Sequence, residues 1–515
     1  MSKAGDNSHD FSGTSFNSYN QEESQENEVG PSGIVDEEME IDGEIQITDS
    51  SDEEEFVRKY GDINFQYIKR PKDAVWFIRP HALNYFKDGV LYRTKGERTS
   101  SKTELFLDLM YVGIIANLAG SAAEEATGAA FLQYVLLFIP AWMVWADIKD
   151  FTNYYYNEDL SQKLYIMWIL VLLTLFSNNH YRVLEDVKGA ALTVVPYILC
   201  RISLAISLVV YSFFIPQHRP QMRLYAGMIF VTCCLWIPVI FISTRAKIGL
   251  SFAILFLEAM SQVIAYHPIT KKYMKLTEST ALNIEHEVER YGVFVTIAIG
   301  EFLYKVVAEG PLGTGLTDKF ARGVFLLIIA YDLFWIYQYG SSCKKATHAL
   351  RHSGWTAIGW MYTHLPLVAS LVLAADAGGD LCSLDITSTK KHLEPETEPA
   401  GGAHERFRRR SEEEVPNMYG LSFYFTGGIC VALICMWLIG SYDRSRDPVD
   451  MHVVPRFWRI FCRVPIGIII VCLSLAELNT TVLMGIVTAL LTVLLVYESV
   501  VMTPKQCLPF VKTDI

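Results

Sequence analysis

Glu104-Leu105-Phe106-Leu107-Asp108-Leu109-Met110-Tyr111-Val112-Gly113-Ile114-Ile115-Ala116-Asn117-Leu118-Ala119-Gly120-Ser121-Ala122-Ala123 is the stretch whose reading decides the fold. It contains no Lys or Arg, and its two carboxylates lie in its first five positions. At 1.5 Å of rise per residue, a helix of this length spans roughly 30 Å of hydrocarbon. Its apolar residues occupy every side of a helical wheel, which no water-facing helix tolerates. In lipid the backbone must satisfy its own hydrogen bonds, so the element is read as a helix.

Eleven further runs of the same kind follow, at 130–148, 163–178, 190–214, 222–242, 248–266, 290–309, 318–339, 354–374, 418–440, 464–478 and 480–502. With 104–123 they give an all-α fold class, a polytopic transmembrane helical bundle of about 12 spans. The composition agrees, with 51% hydrophobic and only 19% charged residues in 515. A soluble chain of this size would carry many charged helix faces.

The formal charge of −12 is unevenly spread. Residues 1–55 hold 17 Asp or Glu against the single basic residue Lys3, so the rest is mildly basic. This acidic tail has too little apolar surface to offset its ordering entropy and reads as disordered. Residues 56–102 turn basic and aromatic, as in Trp76-Phe77-Ile78-Arg79 and Tyr85-Phe86-Lys87, and are expected against the membrane surface or the bundle's loops. The membrane domain covers 103–503, with halves at 104–266 and 290–502 and a long loop at 375–417. A short C-terminal tail spans 504–515. The inner flanks of the spans hold most of the Lys and Arg, which places both termini in the cytosol. The loop 375–417 dissents, because it carries Arg406, Arg408, Arg409 and Arg410 on the outer side. The first apolar run starts near Glu104, so that span would itself direct insertion into a membrane.

Chemical motifs are sparse. Cys200, Cys233, Cys234, Cys430, Cys435 and Cys472 fall inside spans, and only Cys382 falls in an outer loop, so no disulfide framework is expected. No metal-ligand spacing, phosphate-binding loop or nucleophile–base set is apparent, which argues against an enzyme and against a bound metal or cofactor. The expected partners are the lipid bilayer and a small solute or ion, with no nucleic acid.

Charge inside the spans carries the functional information. An ionisable group at mid-bilayer costs about 2.5–3.5 kcal/mol on insertion scales, so it faces the bundle interior or a polar path. Glu104 and Asp108 lie one turn apart on one helix face. Arg201 sits in the fourth span, Glu258 in the sixth, Asp332 in the eighth, His364 in the ninth and Glu477 near the end of the eleventh. The seventh span holds Glu289 and Arg290, then Glu301, Lys305 and Glu309 spaced by four, so that Glu301 and Lys305 can meet. The path candidates are therefore Glu104, Asp108, Arg201, Glu289, Arg290, Glu301, Lys305, Asp332 and His364. Each has a plainer reading: Glu104 could complement a helix dipole, Arg201 could fix helix neighbours, and His364 could be a satisfied core histidine.

Thr103-Glu104-Leu105-Phe106-Leu107-Asp108-Leu109-Met110-Tyr111-Val112 resembles the opening motif of the bacterial low temperature requirement A (LtrA) family, Glu-Leu-Phe-Phe-Asp-Leu. Tyr197-Ile198-Leu199-Cys200-Arg201, Glu289-Arg290-Tyr291-Gly292 through Gly300-Glu301, and His364-Leu365-Pro366-Leu367 agree with it in order and spacing. The run Trp142-Met143-Val144-Trp145-Ala146-Asp147 resembles its second span. This chain departs at Phe302, where family members typically have a small polar residue, and in its acidic tail and 375–417 loop, which look like eukaryotic, fungal-type additions. The resemblance implies an architecture more than an activity.

Each half opens with a glutamate and an aromatic two residues on (Glu104/Phe106 and Glu289/Tyr291), which suggests two parallel six-helix repeats. Two function classes follow. One is a transporter or channel-like protein with a charged intramembrane path, a cation channel being one variant. The other is a non-transporting sensor or scaffold for stress adaptation, in which the charges only lock helices together.

Overall fold

The computed structural model describes residues 64–68, 76–94, 98–155, 157–308, 312, 315–340, 346–383, 417–448, 451–476 and 478–505. The expectations for the acidic tail, Glu309, Arg406, Arg408, Arg409, Arg410 and Glu477 fall outside these residues.

Twelve long helices follow one another: α1 (Lys102–Glu125), α2 (Gly128–Tyr155), α3 (Leu160–Asn179), α4 (Val187–Phe214), α5 (Arg219–Trp236), α6 (Thr244–Tyr266), α7 (Ile284–Ala308), α8 (Asp318–Tyr339), α9 (Gly354–Ser383), α10 (Met418–Tyr442), α11 (Arg463–Leu473) and α12 (Thr480–Val501). Helix α1 starts at a capping box. Ser101 accepts from the Glu104 amide at 3.2 Å, and Glu104 Oε2 accepts from the Ser101 amide at 2.8 Å. The helix then inverts the soluble amphipathic pattern. Glu104 and Asp108 are fully buried, whereas Leu105, Phe106, Leu109 and Met110 are exposed on the face a bilayer would cover.

Among the described residues, eleven helical segments are long and apolar enough to cross a membrane. Helix α7 is not among them, because its 25 residues include Glu285, Glu287, Glu289, Arg290, Glu301 and Lys305. Its path follows from its neighbours. His267, at the end of α6, packs on Trp355 at the start of α9 with ring centroids 5.0 Å apart. Tyr362 near the start of α9 donates to the carbonyl of Ala259 and to Gln262 Oε1 on α6, both at 3.1 Å. The end of α6 and the start of α9 thus share a face. Since α8 crosses between them, α7 must cross too, and the bundle has twelve crossings. Apolarity alone misses this span because its charges point at other helices.

The same face carries a small sheet, β1 (Phe65–Ile68), β2 (Asn84–Lys87), β3 (Val90–Thr94) and β4 (Glu278–Thr280), in the order β1-β3-β2-β4. Asp88 and Gly89 both have positive φ, +50° and +83°, which supplies the two-residue turn joining β2 to β3. β4, from the α6–α7 connector, closes the sheet against β2. Lys87 and Glu278 meet at 3.0 Å across that pairing, and the carboxylate holds the Lys87 ammonium above its usual value. The described part of 56–102 therefore docks on the bundle's loops, the second of its two expected placements. Two further strands, β5 (Ala346–Thr347) and β6 (Arg444–Ser445), tie the α8–α9 connector to the α10–α11 connector.

Helix α9 is the axis of the packing and touches α1, α2, α7, α8 and α10. It runs on to Ser383, nine residues beyond the expected end at 374. Cys382 is consequently a buried helix residue, not an outer-loop thiol. Glycine explains the close approach: a methyl group on Gly428 of α10 would stand 2.6 Å from the Ser370 carbonyl of α9. The neighbour relations first–third, third–fourth and fourth–fifth recur in the two halves.

A buried layer of ion pairs as candidate functional site

The sheet-bearing end of the bundle gathers most of the ionisable side chains. Asp108 of α1 faces Arg290 of α7. The Arg290 NH2 group donates to Oδ1 at 2.8 Å, and NH1 lies 2.8 Å from Oδ2. The indole of Trp145 on α2 donates to the same Oδ1 at 2.9 Å. All three helices are held by one carboxylate, and both charged residues are 0% exposed.

One turn earlier, Glu104 Oε1 stands 3.0 Å from His286 Nε2 and 3.8 Å from Arg98. With Nε2–H donating to the carboxylate, His286 Nδ1 is left to accept from Asn153 Nδ2 at 3.2 Å. Glu104 thus caps its helix and also joins the layer. Glu289 is half-buried and accepts from the Ser100 amide at 3.1 Å, which anchors the segment before α1.

Helix α2 supplies the centre of the layer. Lys149 pairs with Glu287 of α7 and lies 2.9 Å from Asp150, with its ammonium 4.5 Å from the Tyr291 ring centre. Arg201 of α4 pairs with Asp147 of α2 and reaches towards Glu258 of α6 at 3.7 Å. Tyr225 donates to Asp147 at 2.7 Å, and Tyr197 and Trp236 donate to Glu258 at 2.5 and 3.2 Å. His364 closes the far side. Its Nδ1 donates to the Trp360 carbonyl at 2.8 Å, so Nε2 accepts from the Tyr337 hydroxyl at 3.1 Å. The Tyr291 ring packs on it at 4.4 Å.

A second group lies towards the opposite end. Lys305 pairs with Asp376 of α9, and Glu301 stays half-buried on the same helix. The expected Glu301–Lys305 pair is replaced, because α9 packs so closely that the Lys305 stem lies against Gly379 and brings the ammonium to Asp376. Between the two groups, Tyr111, Ile115, Phe294, Ala298, Val368 and Leu371 form a dry apolar block on α1, α7 and α9. It fills most of the roughly 22 Å of helix axis separating Arg290 from Lys305. The charged stripe on α7 is therefore two layers, not one continuous path. Asp332 sits apart, buried on α8 and accepting from Thr492 at 2.8 Å.

Two cavities border these features. One of about 40 Å³ is mostly apolar and is lined by residues of α2, α4, α5 and α6 such as Leu137, Tyr197, Trp236 and Ile248. The other, about 410 Å³, opens beneath the sheet and is lined by Asn84, Arg93, Asn283, Glu285 and Arg351. Among the described residues no group of three or more His, Cys, Asp or Glu is arranged to hold a metal ion.

Sequence reading found Glu104, Asp108, Arg201, Arg290 and His364, which the fold brings into this layer or onto its border. It missed Asp147, Lys149, His286 and Glu287 as site residues. These stand near span ends, where charge looks like ordinary flanking charge. A signal was available in their type, since a lysine two residues past an aromatic-acid run is poorly placed to snorkel.

The family described as bacterial low temperature requirement A protein (LtrA) matches residues 99–497. No curated protein and no solved structure matches the chain. The matched region covers helices α1 to α11, most of α12 and the charged layer apart from Arg98, and the chain belongs to the low temperature requirement A family.

Proposed function

We propose that this protein is a transporter or channel-like protein whose solute or ion acts at the Asp108–Arg290 layer. The observation that carries this reading is incomplete coordination in a fully buried site. Arg290 Nε, and Arg201 Nε and NH2, have no hydrogen-bond partner among the described residues although all are shielded from solvent. A buried polar group left without a partner costs about 1–3 kcal/mol, more when charged. A pure helix lock would remove that cost by completing the coordination. A site that exchanges partners during a cycle keeps it.

The arrangement also suits alternating access. A charged layer near one face, a dry apolar block and a second charged pair beyond it describe a closed state that must rearrange to pass a solute. The basic inner flanks support a cytosolic location for the sheet-bearing face and for both termini. The apolar block disfavours a permanently open cation channel. Reconstitution of the purified protein into liposomes, with a panel of ions and small solutes, tests the reading. The expected result is a saturable flux that Asp108→Asn abolishes while leaving the protein folded. A folded wild type that moves nothing in the panel, while Asp108→Asn weakens only folding, favours the sensor or scaffold.

A further inference from the structure

The charged layer holds more carboxylates than its cations can neutralise. Glu104, Asp108, Asp147, Asp150, Glu258 and Glu287 meet Arg98, Lys149, Arg201 and Arg290. The excess arises in two places, each with one cation between two carboxylates. Arg201 lies between Asp147 and Glu258, and Lys149 lies between Asp150 and Glu287.

The two trios treat their extra charge differently. Around Arg201, the hydroxyl of Tyr225 donates to Asp147, and the hydroxyl of Tyr197 and the indole of Trp236 donate to Glu258. Both oxygens of Glu258 therefore carry a donor. Around Lys149, Gln262 donates to Asp150 at 2.5 Å, while the donors to Glu287 are Lys149 on Oε1 and a shared amide, Asn153 Nδ2, on Oε2. Asn153 Nδ2 has two hydrogens but three acceptors within reach: the Asn283 carbonyl at 3.0 Å, His286 Nδ1 at 3.2 Å and Glu287 Oε2 at 3.3 Å. A proton on Glu287 Oε2 removes both the surplus acceptor and the surplus negative charge.

The groups facing Glu287 are Lys149, Asp150 and Asn153 from α2, and His286, Arg290 and Tyr291 from α7 itself. Asn283 precedes α7, Glu104 and Asp108 of α1 lie behind His286 and Arg290, and His364 of α9 lies behind Tyr291. Glu287 also has a route to water. Asn283, whose carbonyl shares Asn153 with Glu287, lines the cavity of about 410 Å³ beneath the sheet.

From this geometry we infer that Glu287 is a proton-binding site, filled from the sheet-side cavity through the Asn283–Asn153 contact, and that the proton is the ion that drives or gates the layer. The coupling part of this inference rests on the transport reading, whereas the proton site does not. Binding adds a proton to Glu287 Oε2 and converts the Lys149 trio from net negative to neutral. Release restores the charge and frees the Lys149 ammonium to shift between two carboxylates.

Infrared spectroscopy of the purified full chain in lipid nanodiscs, stepped through the neutral pH range, tests it. The expected spectrum has a protonated-carboxyl stretching band at neutral pH that moves when glutamate is carbon-13 labelled. The band disappears in Glu287→Gln and persists in Glu258→Gln and Glu289→Gln. Absence of the band in the wild type, indifference to the label, or persistence in Glu287→Gln overturns the assignment. If Glu287→Gln does not fold, the labelled wild type and Glu258→Gln still decide. Flux in liposomes is read separately, with a pH gradient imposed. A band without any flux sinks the transport reading alone, whereas flux that ignores the gradient sinks the coupling.

Discussion

Two buried arginines in this bundle look alike in sequence and differ in what surrounds them. Arg463, at the start of α11, has an acceptor for every guanidinium nitrogen. Its Nε and NH2 grip Glu498 of α12 at 2.7 Å each, NH1 donates to the Met436 carbonyl at 2.9 Å, and NH2 also donates to the Gly340 carbonyl at 2.7 Å. Four helices are tied by one guanidinium with no nitrogen left unpartnered. Arg290 has the same burial, 0% against 2% exposed, yet meets Asp108 alone, through NH2 and NH1 at 2.8 Å each, and leaves Nε without a partner among the described residues. The first is a completed lock. The second keeps a buried donor in reserve. Buried ion pairs in one membrane protein thus need not share a purpose, and coordination separates the two cases better than depth does.

The largest expected effect lies on the lock. Glu498→Gln leaves the Arg463 charge buried without its carboxylate, a loss that typically costs about 3–5 kcal/mol. The variant is expected to lose monodisperse protein in detergent chromatography. Gly340→Ala should do comparable harm, since a methyl group there would run into the Ile336 carbonyl and the Arg463 guanidinium. Normal yield and melting for both would break the distinction.

Asp108→Asn is expected to be gentler on folding and harsher on function. The amide keeps the shape and still accepts from Trp145, and the carboxylates of Glu104 and Glu287 remain near the Arg290 charge, so the stability loss should be about 1–3 kcal/mol. Activity should vanish. A melting temperature that falls as far as in Glu498→Gln would make Asp108 a second lock.

The outer pair gives an intermediate case. Lys305→Met and Asp376→Asn should each destabilise, and the double variant should recover about 1–3 kcal/mol of the summed loss because the residues are in contact. Pairing Lys305→Met with Glu301→Gln should recover much less. If the Glu301 combination is the one that recovers, the Lys305–Asp376 pair does not govern this layer.

The smallest effect belongs to the sheet. Lys87 is about half exposed where it meets Glu278 at 3.0 Å across the β2–β4 pairing, and Lys87→Gln should leave thermal unfolding almost unchanged.

How much of this was legible in the chain follows from the same physics. Length and apolarity fix a helix in lipid, so eleven crossings could be read directly, and the twelfth because its charges still left long apolar stretches. Asp108 and Arg290 stood out as charges within apolar runs. Partner choice was not legible. Lys305 turns to Asp376 because α9 continues through Gly378-Gly379, where a sequence reading ends the span and starts a loop. Glycine in a span reads as a break when taken alone. Here it marks the place where two helices touch.

The account's central claim is that the under-coordinated layer works and the coordinated one holds. The most direct measurement is the solute- or proton-driven current of the reconstituted protein on a solid-supported membrane, comparing wild type with folded Asp108→Asn. The account predicts a current in the wild type and none in the variant at equal protein density. Equal currents from both would contradict it.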